Sequence, residues 1–207
     1  RRGARRPLLV IGTACRPASD ELVRLVDALQ IPFVTTPQAK GVVSERHPFS
    51  LRTCGMSASQ WARRYMKGEG ADVALAIGTD LDDVSTAGTP PIGPGGWLAH
   101  ADVDAEVIGR NFPTGLGIVC GARELAAALA ERFEEGGPVA GGPRMAATAR
   151  EGSAFDNPGF QRDESLPIAP HRVVADLQTA VPEATFVTDI GEHMLFALHY
   201  IQADDAR

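Results

Sequence analysis

The stretch Arg5 to Gly41, RRPLLVIGTACRPASDELVRLVDALQIPFVTTPQAKG, decides the fold. Pro7 to Ile11 is an almost unbroken apolar run that stops at Gly12. A parallel strand buried on both faces reads this way, whereas a half-exposed strand alternates. Ser19 precedes Asp20 and Glu21, two acids placed to suit the positive end of a helix dipole. Leu22, Val23, Leu25, Val26 and Leu29 then give that helix one wide apolar face. Pro32 closes it, and Phe33 to Thr36 is β-rich again. The unit is βαβ with a right-handed crossover, and its ligand end is the carboxyl end of the strands.

The same grammar continues. Ala58 to Met66 predicts a helix with Trp61 and Tyr65 on one side, and Val42 to Gly55 before it reads as a polar loop. Asp72 to Ile77 predicts a third strand ending at Gly78-Thr79, and Trp97 to Val103 a fourth ending at Asp102. Gly117 to Cys120 predicts a fifth, followed by the strong helix former ARELAAALAERFEE. The expectation is an α/β domain over residues 5–135, with a doubly wound, mostly parallel, Rossmann-like sheet. Residues 136–167 begin GGPVAGGP and show no sustained period, which predicts a flexible linker. From 168 onward the pattern predicts the start of a second α/β domain: a helix over Pro170–Val181, a strand TFVTD over Thr185–Asp189, and a helix from Glu192 to Ile201. One strand and two helices bury little core, so this piece either docks on the first domain or belongs to a longer chain; the second is expected.

Composition narrows the function. A net charge of −6 argues against a general nucleic-acid binder, which needs an excess of Lys and Arg on one face. The basic opening Arg1, Arg2, Arg5 and Arg6 reads as a short solvated linker. Three cysteines, Cys15, Cys54 and Cys120, have no metal spacing and read as buried thiols of a reducing compartment. No apolar run approaches membrane-spanning length, so no membrane partner and a cytoplasmic location are expected.

Two groups of residues could carry chemistry. Gly191-Glu192-His193 lies where a strand hands over to a helix, so unpaired N–H groups and an imidazole face an anion; the plain alternative is the first turn of a surface helix. Gly12, Thr13, Gly78, Thr79, Asp102, Val103 and Gly121 share the strand ends of one sheet, where a crevice either holds a nucleotide or is only structural. Asp80, Asp82 and Asp83 read as a solvated turn rather than a magnesium site, and His100 as a hydrogen-bonded core residue. No catalytic residue and no metal ligand is assigned.

The order of motifs resembles the central domain of thiamine-diphosphate-dependent enzymes of the acetolactate synthase and benzoylformate decarboxylase type. The residues that carry it are Phe33 to Thr36, Lys40-Gly41, Gly78 to Asp83, Asp102 to Asp104 and Glu106 to Asn111. TFVTDIGEHMLFALHYI is similar to the opening of the diphosphate-binding domain in those enzymes. The resemblance implies a segment of a 2-oxo-acid decarboxylase or carboligase with thiamine diphosphate and Mg2+ as cofactors, working as a homodimer or homotetramer. It implies that Gly191, Glu192 and His193 hold the cofactor's diphosphate. It also implies that this segment alone is inactive, because the family's activating glutamate and its Gly-Asp-Gly magnesium motif are not in it. FAD or ADP in the crevice is implied less well: the family's flavin-contacting Arg falls at Asp80, and its Gly-Met-His-Gly loop reads Gly55-Met56-Ser57-Ala58. The alternative is a non-catalytic structural or nucleotide-binding domain.

Overall fold

The computed structural model describes residues 3–204; Arg1 and Arg2 of the basic opening lie outside them. Six strands form one wholly parallel sheet: β1 Pro7–Ile11, β2 Phe33–Thr35, β3 Ser50–Thr53, β4 Val73–Ile77, β5 Trp97–Asp102 and β6 Leu116–Val119. Their spatial order is β3-β2-β1-β4-β5-β6, so the chain reverses its direction of winding between β1 and β4. This is the doubly wound arrangement the sequence predicts.

The apolar runs form the sheet's middle. All five residues of β1 are buried, as a strand sandwiched between two layers must be. Leu9 and Ile11 face a core shared with α1 (Ser19–Leu29) and α4 (Ala122–Gly136). Leu8 and Val10 face the other core, shared with α2 (Gln60–Met66). Helix α1 buries Leu22, Leu25, Val26 and Leu29, while Val23 falls at the edge of that face and is exposed. Ser19 does not cap it: the hydroxyl donates to Val42 O at 2.5 Å, and a 3-10 helix, Thr13–Ala18, joins strand to helix. The Ser19 side chain thus tethers the start of the helix to the next loop.

Three expectations are corrected. Val42 to Gly55 is not a loop throughout: its second half is the edge strand β3, whose four residues are all buried. Residues 136–167 are not merely a flexible linker: they carry α5 (Gly142–Ala149), which buries Ala146 and sets its first residue against the carbonyl of Gln30. Finally, Thr185–Asp189 is not a strand. It pairs with nothing among the described residues, and Val187 and Ile190 are 90% and 84% exposed.

The last part of the described chain docks on the first domain. Helices α6 (Pro170–Ala180) and α7 (Glu192–Tyr200) pack on each other around Phe160, Ala175 and Tyr200. Phe155 stacks on Tyr200 with ring centroids 5.7 Å apart. The chain after α7 then lies against the carboxyl side of β2 and β3, described next.

Candidate functional site

The crevice between β1 and β4 is tightly closed. Gly12 N–H donates to Ile77 O at 2.9 Å, and Ala14 N–H to Gly78 O at 3.1 Å. The second bond consumes a donor that a nucleotide phosphate would use in an open turn of this type. A Cβ on Gly12 would overlap the Gly78 carbonyl and the Thr79 side chain, so the two turns are in backbone contact. Gly78 adopts φ 62°, and Cys15 Sγ donates to Ile77 O at 3.2 Å directly beneath it.

The rest of the crevice is acidic or spoken for. Thr79 is buried, and its carbonyl accepts from His100 Nε2 at 2.7 Å. Gly109 N–H donates to His100 Nδ1 at 3.2 Å, so Nε2 carries the proton and the ring is a neutral strut between two loops. Asp102 accepts from Asp104 N–H at 3.0 Å, and Val103 is exposed. Gly121 precedes α4, but the carboxylate of Glu124 folds back over it. Asp80 pairs with Arg110 at 3.1 Å, and Asp82 caps α3 (Asp83–Thr86) by accepting from Ser85 N–H at 2.7 Å. Four carboxylates at the mouth, those of Asp80, Asp82, Asp102 and Glu124, and donors already bonded do not fit a nucleotide diphosphate.

Gly191, Glu192 and His193 stand at the start of α7, as their sequence predicts, but without the strand expected before them. Gly191 has φ 146°, a region L side chains rarely adopt. A Cβ there would lie 2.8 Å from Cε1 and 2.9 Å from Nδ1 of His193, whose ring folds over the turn. Glu192 and His193 are exposed. An anion at this turn would meet first-turn N–H groups, the positive end of the helix and the imidazole, so the residues fit a diphosphate. No group of three His, Cys, Asp or Glu side chains that could hold a metal occurs among the described residues.

A third feature was not predicted. Lys40, Glu45 and Arg52 form a buried ionic cluster at the carboxyl side of β2 and β3. Lys40 Nζ lies 2.7 Å from both oxygens of Glu45, and Arg52 Nη2 lies 3.4 Å from Oε2. Glu45 and Arg52 are both 3% exposed. Thr53 Oγ1 donates to Oε1 of the same carboxylate at 3.2 Å. Neighbours in a strand normally point to opposite faces; here Arg52 has φ 66° and the β2–β3 register shifts, so both reach one acid. Burial pushes the Lys40 ammonium down to about 8 although Glu45 holds it up. Burial also pushes the Glu45 carboxyl up, but Lys40 and Arg52 outweigh it and leave it below the usual range. The sequence signal was available in Lys40-Gly41 and Glu45, but Arg52 lies in a strand with no apolar run to announce it.

Of the three thiols, Cys15 and Cys54 are buried and pushed up to about 12 by that burial, whereas Cys120 is only half-buried. No helix among the described residues is long and apolar enough to cross a membrane.

With this geometry in place, comparison with known proteins gives the class. Residues 2–129 match the family model for the central domain of thiamine pyrophosphate enzymes, and the chain belongs to that family. Its relatives are of the acetolactate synthase type. A putative acetolactate synthase large subunit of Mycobacterium tuberculosis is 29% identical over 193 residues, covering 91% of this chain and 34% of the relative. A probable acetolactate synthase large subunit of Methanococcus aeolicus is 25% identical over 220 residues, covering 99% of this chain and 36% of the relative. A putative thiamine pyrophosphate-containing protein of Bacillus subtilis is 30% identical over 198 residues, covering 91% and 32%. The chain thus spans about a third of the length of these relatives.

Proposed function

We propose that this chain supplies the central domain, and the opening of the diphosphate-binding domain, of a thiamine-diphosphate enzyme that decarboxylates or ligates 2-oxo acids. The observation that carries the reading is the Gly191-Glu192-His193 turn opening α7, on the carboxyl side of a region matching the family's central domain. In this reading the division is the central domain over 5–135, a connection over 136–167 and the diphosphate-binding part from 168 onward. The whole protein uses Mg2+, works as a cytoplasmic homodimer or homotetramer, and binds neither nucleic acid nor membrane. Residues 1–207 alone are inactive.

When bound, thiamine diphosphate supplies the carbon nucleophile and the electron sink for the reaction. The residues of this chain bind and orient. Gly191 lets phosphate oxygens approach the backbone, the N–H groups of the first turn donate to them, and His193 adds a donor. A hydrogen bond to a charged group contributes about 1.5–3 kcal/mol, roughly ten- to a hundredfold in affinity.

The test is thiamine diphosphate titration and carbon dioxide release from pyruvate or benzoylformate, using the native gene product. Wild type turns over with thiamine diphosphate and Mg2+, and His193→Ala raises the cofactor Kd roughly ten- to a hundredfold with the central domain still folded. Equal dissociation constants for wild type and variant would reduce His193 to a surface-helix residue. Turnover by residues 1–207 alone would overturn the assignment of the missing functions to the rest of the protein.

A further inference from the structure

We infer that Arg52 is a positioning residue: held by the Glu45 carboxylate that Lys40 also grips, it clamps the carboxyl end of α7 and so places the Gly191–His193 turn relative to the central sheet. The inference rests on the diphosphate reading above and adds a mechanism that acts at a distance from it.

The contacts run in one direction. Arg52 Nη2 donates to the carbonyl of His199 at 3.1 Å and to that of Ile201 at 2.8 Å. Both carbonyls belong to the end of α7, where a helix has unsatisfied acceptors and the negative end of its dipole. All three acceptors, the two carbonyls and the Glu45 carboxylate, lie around the single nitrogen Nη2, whose two hydrogens serve the carbonyls while Glu45 Oε2, at 3.4 Å, acts mainly through its charge. The face of the guanidinium is covered by Phe155, whose ring centroid is 4.4 Å away. Two of its nitrogens, Nε and Nη1, are buried without a hydrogen-bond partner. Such a group is costly to bury and is held by its surroundings.

The next residues reinforce the clamp. Glu45 N–H donates to Ala203 O at 2.9 Å, and Ala203 N–H donates to Glu45 Oε2 at 3.0 Å. His199 accepts from Asp156 N–H on Nε2 at 3.0 Å, leaving Nδ1 to donate to Ser57 O at 3.3 Å. The far end of α7 is thereby bonded at both ends of one short segment, residues 199–203. His193 precedes His199 by six residues, about 9 Å along the helix axis, so a rigid α7 passes its position on directly. Slipping the clamp by one turn would carry His193 about 5 Å.

The experiment uses the native gene product and five variants, Arg52→Met, Arg52→Lys, Ala203→Pro, His193→Ala and the double variant Arg52→Met with His193→Ala. Hydrogen exchange is read over residues 197–203 and over β1 and β4, and thiamine diphosphate Kd is measured beside substrate KM at saturating cofactor. Arg52→Met is expected to speed exchange at 197–203 by on the order of a hundredfold while β1 and β4 stay protected. It raises the cofactor Kd roughly tenfold and leaves KM unchanged. Adding His193→Ala to it raises Kd by less than the product of the two single effects, because both act through one helix. Arg52→Lys keeps the charge on a shorter stem that brings its donors less close to the two carbonyls, and recovers only part of the protection. Ala203→Pro removes the N–H that Glu45 accepts but leaves all three charged side chains in place, so it gives the same pattern, more weakly, should Arg52→Met fail to fold. Unchanged exchange at 197–203 in both Arg52→Met and Ala203→Pro overturns the clamp. Faster exchange with unchanged Kd, while His193→Ala raises Kd, overturns the positioning role alone. An unchanged Kd in His193→Ala overturns the diphosphate reading itself.

Discussion

Replacing Glu45 by Gln keeps its shape and removes its charge, and the consequence can be worked from the cluster around it. The carboxylate receives Lys40 Nζ on both oxygens, Thr53 Oγ1, Arg52 Nη2 and Ala203 N–H. Without it, two buried cations face each other with no counter-charge. Breaking a buried pair by removing one partner costs about 3–5 kcal/mol, a large fraction of the 5–15 kcal/mol that holds a typical domain. The loss has a pH signature because Lys40 can escape it. In the wild type its folded value is about 8, against 10.5 for the free group. Below 8 both states hold the proton; between 8 and 10.5 the unfolded chain holds more, so this group makes stability rise with pH in that window. The full shift corresponds to roughly 3 kcal/mol. Removing Glu45 removes an influence that holds the ammonium up, so in Glu45→Gln the rise begins below pH 8. The assay is denaturant unfolding of both proteins at pH 6, 7, 8 and 9. The expected result is a deficit of about 3–5 kcal/mol at pH 6 that narrows by pH 9, and that is largely recovered at pH 6 when Lys40→Met is added. A deficit under about 1 kcal/mol that does not change with pH would refute the reasoning, because it would mean water already screens the cluster.

Two further outcomes follow from the rest of the fold. Gly12→Ala places a methyl group into the backbone of the Gly78 turn and is expected to cost about 1–3 kcal/mol by forcing β1 and β4 apart, read as a drop in the denaturation midpoint. Under native conditions a thiol-alkylating reagent is expected to modify Cys120 first and to leave Cys15 and Cys54 intact until the protein unfolds, which peptide mass mapping would check.

The parts of the molecule legible in the sequence are those whose cause is local. Pro7–Ile11 and Val73–Ile77 are strands because a short apolar run stopped by glycine has nowhere to go but the middle of a sheet. Helix α1 declares its buried side through Leu22, Leu25, Val26 and Leu29, and the order of these elements sufficed for the doubly wound fold and the family resemblance. What the sequence could not decide depends on partners far along the chain. Ser50–Thr53, with Arg52 at a positive φ, is a strand only because β2 offers it an edge, whereas Thr185–Asp189, richer in β-formers, finds no edge among the described residues and stays irregular and largely exposed. The ionic cluster is the clearest case. Lys40, Glu45 and Arg52 are each ordinary surface residues by type, and only the bulge in β3 and the return of residues 199–203 some 150 positions later bury them together. Their burial is a property of the tertiary fold, because removing a charge from water is tolerable only where the opposite charge and the donors that satisfy it arrive from elsewhere in the chain.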